Sequence, residues 1–203
     1  DKTVMCWGQD IEGQSSPPSG SFALISAGGK HTCGLRSEGS VECWGLDEWN
    51  QSSPPSWLSH EGSTLTLASG YYHTCAIRIG GAIACWGGLG IIQTGSPPPS
   101  SGSYTTVFSG DYHICALGSN GYPVCWGQDY WGQGSIGGTF ETLSAGFAYT
   151  CGLRFDGSVE CFGLDDEGQS SPPFGAFEAI SASWWKHTCG LRSDGSLECW
   201  GNN

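Results

Sequence analysis

The chain has 203 residues, ten of them tryptophan and eleven cysteine, and carries 7 Lys and Arg against 19 Asp and Glu, a formal charge of −12. Such an acidic chain repels phosphate backbones, which excludes nucleic acid as a partner. Charged residues make up only 13% of it, so the surface is mainly Ser, Gly, Thr, Asn and Gln with exposed aromatics, and no apolar run reaches the length of a membrane span.

Internal repetition organises everything else. Thr32–Gly45 reads TCGLRSEGSVECWG and Thr188–Gly201 reads TCGLRSDGSLECWG, with weaker copies between them. The first cysteines of the copies are Cys33, Cys75, Cys115, Cys151 and Cys189, spaced by 42, 40, 36 and 38 residues. Each is followed by a second cysteine ten residues later, at Cys43, Cys85, Cys125, Cys161 and Cys199.

The chain opens with VMCWGQDIEGQSSPP, the second half of a repeat with no first half before it. This predicts a strand over Thr3–Gln9 and leaves Cys6 unpaired, or in an inter-chain bond, with strand donation to a neighbour as its use. Residues 1–21 are read as this half-repeat, strand plus loop. Residues 22–203 are read as five full repeats that form a single domain with it.

Each full repeat begins with an apolar run closed by small residues: FALISAG, LTLASG, TTVFSG, ETLSAG and FEAISAS. A hairpin of the type HTCGLR–SEG–SVECWG follows, in which Ser37, Glu38 and Gly39 make a three-residue connection ending in glycine. That loop length sets Leu35 opposite Val41 and Cys33 opposite Cys43, within disulfide reach. Five intra-hairpin disulfides are therefore predicted, each adding roughly 2–3 kcal/mol in the chain-entropy model. A polar loop such as WGLDEWNQSSPP then leads to the next repeat. No segment has a sustained helical period, so no helix is expected. Short strands at this spacing indicate an all-β propeller of five repeats of about forty residues, plus the half-repeat, with one disulfide per blade.

The pattern SAG-x-x-HTCGL-x-x-DG-x-x-x-CWG-x-x-x-x-GQ resembles the regulator of chromosome condensation repeat across all five units. The disulfides and short repeats are similar to extracellular relatives, such as plant crinkly-type receptor kinase ectodomains, and to secreted β-lactamase inhibitor propellers. The resemblance implies a propeller fold and an interaction role. Family members usually carry seven blades.

Two modification signals stand out. Asn50-Gln51-Ser52 is a glycosylation sequon. Ser-Pro-Pro recurs at Ser16, Ser53, Ser96 and Ser171 and is read as a loop stiffener.

Several constellations are weighed for chemistry. Gly132-x-Gly134-x-x-Gly137 lacks the following helix of a dinucleotide site, because the next strand follows it. His31, His73, His113 and His187 recur, with Tyr149 at the same position of the fourth copy, and the favoured role is a hydrogen bond to the adjacent blade's backbone rather than a metal site. Asp10, Asp47, Asp129 and Asp165 are read as loop-ordering residues rather than calcium ligands. Trp7, Trp44, Trp86, Trp126 and Trp200 are expected to pack between blades. The turns just before each histidine vary inside a constant frame: Gly29-Lys30, Tyr71-Tyr72, Asp111-Tyr112, Phe147-Ala148 and Trp184-Trp185-Lys186. Tyr and Trp dominate ligand mouths and interface hot spots. Tyr71, Tyr72, Asp111, Tyr112, Phe147, Trp184, Trp185 and Lys186 are the candidate partner-binding residues, the alternative being that they only plug a channel.

No nucleophile or acid–base pair stands out, and no metal or cofactor is expected. Eleven cysteines point to an oxidising, extracellular compartment. The expected function is a secreted, non-enzymatic interaction or structural module that binds a protein partner or self-assembles. The rivals are a lectin using the aromatic mouth and a hydrolase inhibitor. Non-reducing peptide mapping is expected to return the five pairs Cys33–Cys43, Cys75–Cys85, Cys115–Cys125, Cys151–Cys161 and Cys189–Cys199; any link between repeats contradicts the hairpin register.

Overall fold

The computed structural model describes residues 2–58, 64–88, 99 and 102–202. The Ser-Pro-Pro run at Ser96 lies outside them. The described elements are fifteen strands and one 3-10 turn, Ser56–Leu58, the latter not expected from the sequence. Five three-stranded antiparallel sheets follow one another in chain order, consistent with five propeller blades. They are β1 Phe22–Ala27, β2 His31–Arg36, β3 Val41–Gly45; β4 Thr64–Ser69, β5 His73–Arg78, β6 Ile83–Gly87; β7 Tyr104–Ser109, β8 His113–Gly118, β9 Pro123–Gly127; β10 Thr142–Ala145, β11 Tyr149–Leu153, β12 Val159–Gly163; and β13 Ala179–Ala182, β14 His187–Leu191, β15 Leu197–Gly201. The chain divides into two compact units, one of residues 1–91 and 99–107, the other of residues 92–98 and 108–203.

The register is the one the loop length dictates. Cys33 faces Cys43, Thr32 faces Trp44 and His31 faces Gly45, and the other hairpins repeat this alignment. All five cross-strand disulfides are present, with Cα–Cα separations of 4.0–4.1 Å.

Within the first unit, Cys33, Leu35 and Val41 of the first sheet pack on Leu67, Ala76 and Trp86 of the second, with Leu58 from the connection between them. In the second unit, Cys115 and Leu117 pack on Phe140 and Leu143, and Leu153 packs on Phe177 and Trp200. Buried histidines add polar links between the same sheets. His31 Nε2 and Thr74 Oγ1 share a hydrogen bond of 2.8 Å, and His113 and Thr150 one of 2.7 Å. The bond does cross to the next repeat, but its partner is a threonine hydroxyl rather than the backbone expected from the sequence. In the repeat that carries Tyr149, the phenol donates to the His187 carbonyl at 2.6 Å instead.

The polar loops are built alike. Asp10, Asp47, Asp129 and Asp165 each accept from a backbone N–H five residues on and a serine hydroxyl six residues on. Their oxygens therefore order the loop. Each loop then lays a glutamine on the sheet that follows. The Gln14 carbonyl accepts from both Thr32 Oγ1 and Trp44 Nε1; Gln51 does so from Thr74 and Trp86, and Gln169 from Thr188 and Trp200, at 3.0–3.4 Å.

Residues 2–9 are not a strand, contrary to expectation, because no strand among the described residues pairs with them. Trp7 is 86% exposed, which corrects its expected packing role, whereas Trp86 and Trp126 are each 5% exposed and Trp200 is 9%. Cys6 is free.

One close approach explains a sequence pattern that reading alone passed over. A Cβ on Gly34, Gly152 or Gly190 would stand 2.3–2.4 Å from the ring of Phe22, Phe140 or Phe177. The second repeat has Ala76 instead of glycine, and its first strand starts with Thr64 instead of Phe; the third has Ala116, and the ring of Tyr104 at the start of its first strand lies against Gly102 instead. Gly152→Ala is expected to destabilise the protein by about 1–3 kcal/mol through overpacking, and Gly152→Ala with Phe140→Thr to be less destabilised than the sum of the two single substitutions. Chemical denaturation of wild type, both single variants and the double variant checks it.

Candidate partner-binding surface

The turn between the first two strands of each repeat carries the residues singled out from the sequence. Within the first unit, Tyr71 and Tyr72 are half-buried with ring centroids 4.3 Å apart, and Trp49 stands edge-on to Tyr72 at 6.2 Å. Trp49, 47% exposed, sits at the tip of the preceding polar loop. The three rings form a ladder in which a loop tip extends a turn. The Gln51 carbonyl explains the pairing, since it accepts from Thr74 and Trp86 and so lays the Trp49 loop on the sheet whose turn carries Tyr72.

The same neighbourhood recurs with other chemistry. Lys30 faces Glu12 at 3.8 Å. In the second unit, Lys186 Nζ donates to Asp166 at 2.5 Å, so its ammonium is engaged with the preceding loop tip. This pairing holds the Asp166 carboxyl below its usual range, chiefly through that bond. Trp184 is half-buried and Trp185 is 80% exposed, its N–H donated to the Ser183 hydroxyl. Lys186 takes φ +56°, the left-handed turn that accommodates the extra tryptophan. Tyr112 and Phe147, both half-buried, meet edge-on at 6.1 Å.

Asp111 differs from the rest of the set. It is only 4% exposed, its Oδ1 has no hydrogen-bond partner, and burial raises its carboxyl to a pKa of about 7. Burial likewise lowers His31 and His113 to about 4, against a smaller upward pull from Asp47 and Asp129 respectively.

Further exposed aromatics lie at Tyr130 and Trp131, on the loop tip equivalent to Trp49. Sequence reading fixed on the turns and missed the tips, although both vary inside the same frame. Asn50 is exposed at φ +60°, where the sister loops have Gly13, Gly132 and Gly168 at φ +77° to +80°. Asparagine tolerates that conformation better than most residues, so the turn accounts for it and leaves its amide at the surface. No group of three or more metal-ligating side chains exists among the described residues, and none of their helices is long and apolar enough to cross a membrane.

Residues 22–51 and 177–203 match the family model described as "Regulator of chromosome condensation (RCC1) repeat", so the chain carries repeats of this type. Among solved structures it is similar to the entire ectodomain of the Physcomitrella patens receptor kinase CR4, with 28% identity and a TM-score of 0.77 over 96% of this chain and 55% of that one. It is also similar to the CRINKLY WD40 ectodomain of the Arabidopsis thaliana receptor kinase ACR4, with 24% identity and a TM-score of 0.82 over 98% of this chain and 76% of that one. Prp20p from Saccharomyces cerevisiae aligns at 19% identity with a TM-score of 0.72, over 87% of this chain and 56% of that one. The chain thus spans about half the length of the CR4 ectodomain. A search of curated proteins returns no match.

The shifted groups give opposite pH dependences. Asp111 is protonated in the fold up to about pH 7, so the stability it allows is present near pH 4 and is lost as pH rises to 7. His31 and His113 stay neutral in the fold, so their share is present above pH 6.5 and is lost as pH falls toward 4. Asp111→Asn is expected to stabilise the chain by roughly 1–4 kcal/mol at pH 8 and by little at pH 4. Thermal unfolding at both pH values tests the sign; an equal effect at both contradicts it.

Proposed function

We propose that this chain is a secreted, non-catalytic module that recognises a protein partner through the surface made by its pre-histidine turns and loop tips. The ladder of Trp49, Tyr72 and Tyr71 carries this reading. It places three adjacent rings at variable positions of a frame whose cysteines, glutamines and threonines repeat. Rigid aromatics lose little side-chain entropy on binding, which suits them to interface anchors. Five disulfides support an oxidising, extracellular setting, as does the likeness to receptor kinase ectodomains. The acidic charge of −12 selects a neutral or basic partner surface. If the protein bound is a hydrolase, the same surface makes the chain its inhibitor.

The test sets the wild-type chain and a Trp49→Ser, Tyr71→Ser, Tyr72→Ser variant on an array of secreted proteins beside a glycan array. The reading expects a protein signal that falls at least tenfold in the variant while near-ultraviolet circular dichroism still reports a folded chain. Glycan binding without protein binding favours a lectin and overturns the proposal, and a protein signal indifferent to the three substitutions overturns the surface.

A further inference from the structure

Four repeats carry an arginine at the end of the central strand or just beyond it: Arg36, Arg78, Arg154 and Arg192. In three of them it is fully engaged. Arg36 Nε donates to Glu42 at 2.7 Å, Arg192 Nε donates to Glu198 at 2.8 Å, and Arg154 pairs with Glu160. The glutamate always stands six residues after the arginine, on the outer strand. Each of these arginines also donates to a carbonyl of the preceding loop, that of Ser19, Thr139 or Phe174. Each guanidinium lies 4.1–4.5 Å from the ring centre of a buried phenylalanine, Phe22, Phe140 or Phe177.

The second repeat keeps the arginine and drops the acid. Ala84 stands six residues after Arg78 and pairs with Ala76 across the sheet. The third repeat has lost both partners together, with Gly118 and Val124 at the two positions. Among the described residues no carboxylate pairs with Arg78. Its guanidinium lies 4.7 Å from the ring centre of Trp57, which the 3-10 turn Ser56–Leu58 supplies in place of the phenylalanine and which is 41% exposed. Stacking on an aromatic face orients the planar fork while leaving its N–H donors unused. The flanking positions change as well. Leu65, 51% exposed, stands next to Thr64, the strand partner of Arg78, where the first, fourth and fifth repeats have Ala23, Glu141 and Glu178. Ile79, 64% exposed, follows Arg78 where the first, third and fifth repeats have Ser37, Ser119 and Ser193. The hairpin end of this sheet is therefore an apolar patch with one oriented, unneutralised cation.

We propose that Arg78 and Trp57 form a docking site for a peptide segment of a protein partner that carries a carboxylate between aliphatic side chains. An Asp or Glu of that segment takes the place that Glu42, Glu160 and Glu198 fill in their own repeats, and its aliphatic neighbours cover Leu65 and Ile79. Charge selects this occupant. A basic segment is repelled by the guanidinium, and a wholly apolar one would cover it without a partner, which is costly. A carboxylate accepts from the arginine fork and is favoured by it. One carboxylate is a local demand, so a partner that is neutral or basic elsewhere still meets it. The site is separate from the turn-and-tip surface and does not rest on that reading. Strand β5 runs from His73, beside the Tyr71–Tyr72 turn, to Arg78 at its other end, a span of about 17 Å at the rise of an extended strand.

The probes are the peptides acetyl-Leu-Glu-Ile-amide and acetyl-Leu-Gln-Ile-amide, titrated into the intact oxidised chain while NMR follows the Arg78 Nε–H and Trp57 Nε1–H resonances. The proposal expects both resonances to shift saturably with the glutamate peptide, at an affinity at least tenfold above that of the glutamine peptide. Ala84→Glu supplies the acid from within. It is expected to move the Arg78 resonance toward those of Arg36 and Arg192 and to abolish the response to peptide. Arg78→Gln is expected to remove the Trp57 response while the other indole resonances stay in place. Equal responses to the two peptides, no response, or a response that survives Ala84→Glu or Arg78→Gln overturns the proposal. Glu61 lies outside the described residues and is the rival acid within the chain. Glu61→Gln is expected to leave the affinity unchanged, and a tenfold gain means that the chain fills its own site and overturns the proposal. Broadening of the Trp57 resonance that grows with protein concentration and disappears in Arg78→Gln makes a second copy the occupant and overturns the partner.

Discussion

In three loops one main-chain carbonyl ties the loop to the sheet that follows. The Gln14, Gln51 and Gln169 carbonyls each accept from a threonine hydroxyl on the central strand and an indole N–H on the outer strand of the following sheet. The glutamine side chain helps fix that carbonyl. Its Oε1 accepts from the N–H two residues back, as at Glu12, Trp49, Trp131 and Glu167. A buried carbonyl left unmade costs about 1–3 kcal/mol, so loop conformation and indole position are tied to each other. The aspartate at the loop's start and the disulfide within the sheet hold the two ends of this joint. The apolar clusters between sheets are small, and cross-links supplement them where core volume runs short.

The constant joint frees the rest of the loop and turn to vary. Between the loop aspartate and glutamine lie Ile11-Glu12, Glu48-Trp49, Tyr130-Trp131 and Asp166-Glu167. Before each central strand lie the turns that meet these tips, as Tyr72 meets Trp49 and Lys186 meets Asp166. A surface of this kind changes its chemistry repeat by repeat without disturbing the frame, which is how an interaction module diversifies. Lys186 and Asp111 show that membership of the turn does not guarantee availability: one is ion-paired with its loop, the other buried.

The sheets, their register and the five disulfides were legible because a fixed ten-residue spacing and a glycine-closed loop leave a single alignment. The role of the loop aspartates was legible for a similar reason, since a short side chain beside a turn bonds its own backbone. The glutamine joint was not. It acts through its main chain, and a carbonyl leaves no mark on residue type beyond the side chain that steadies it. The Phe–Gly exclusion was hidden because its partners sit on different strands, although Ala76 beside Thr64 carried the signal. Trp7 misled because it shares its letters with packed tryptophans, while packing depends on neighbouring strands that residues 2–9 lack. The histidine's partner was placed in the right repeat and on the wrong atom, since sequence alone does not distinguish a threonine hydroxyl from the backbone around it.

The exchange of indole Nε1 protons with solvent, followed by NMR on the oxidised chain, tests the joint most directly. Trp44, Trp86 and Trp200 donate to glutamine carbonyls and are expected to exchange at least a hundredfold more slowly than Trp7, whose indole is exposed. If those three exchange as fast as Trp7, the loop carbonyls do not hold the loops to the sheets that follow and the account fails.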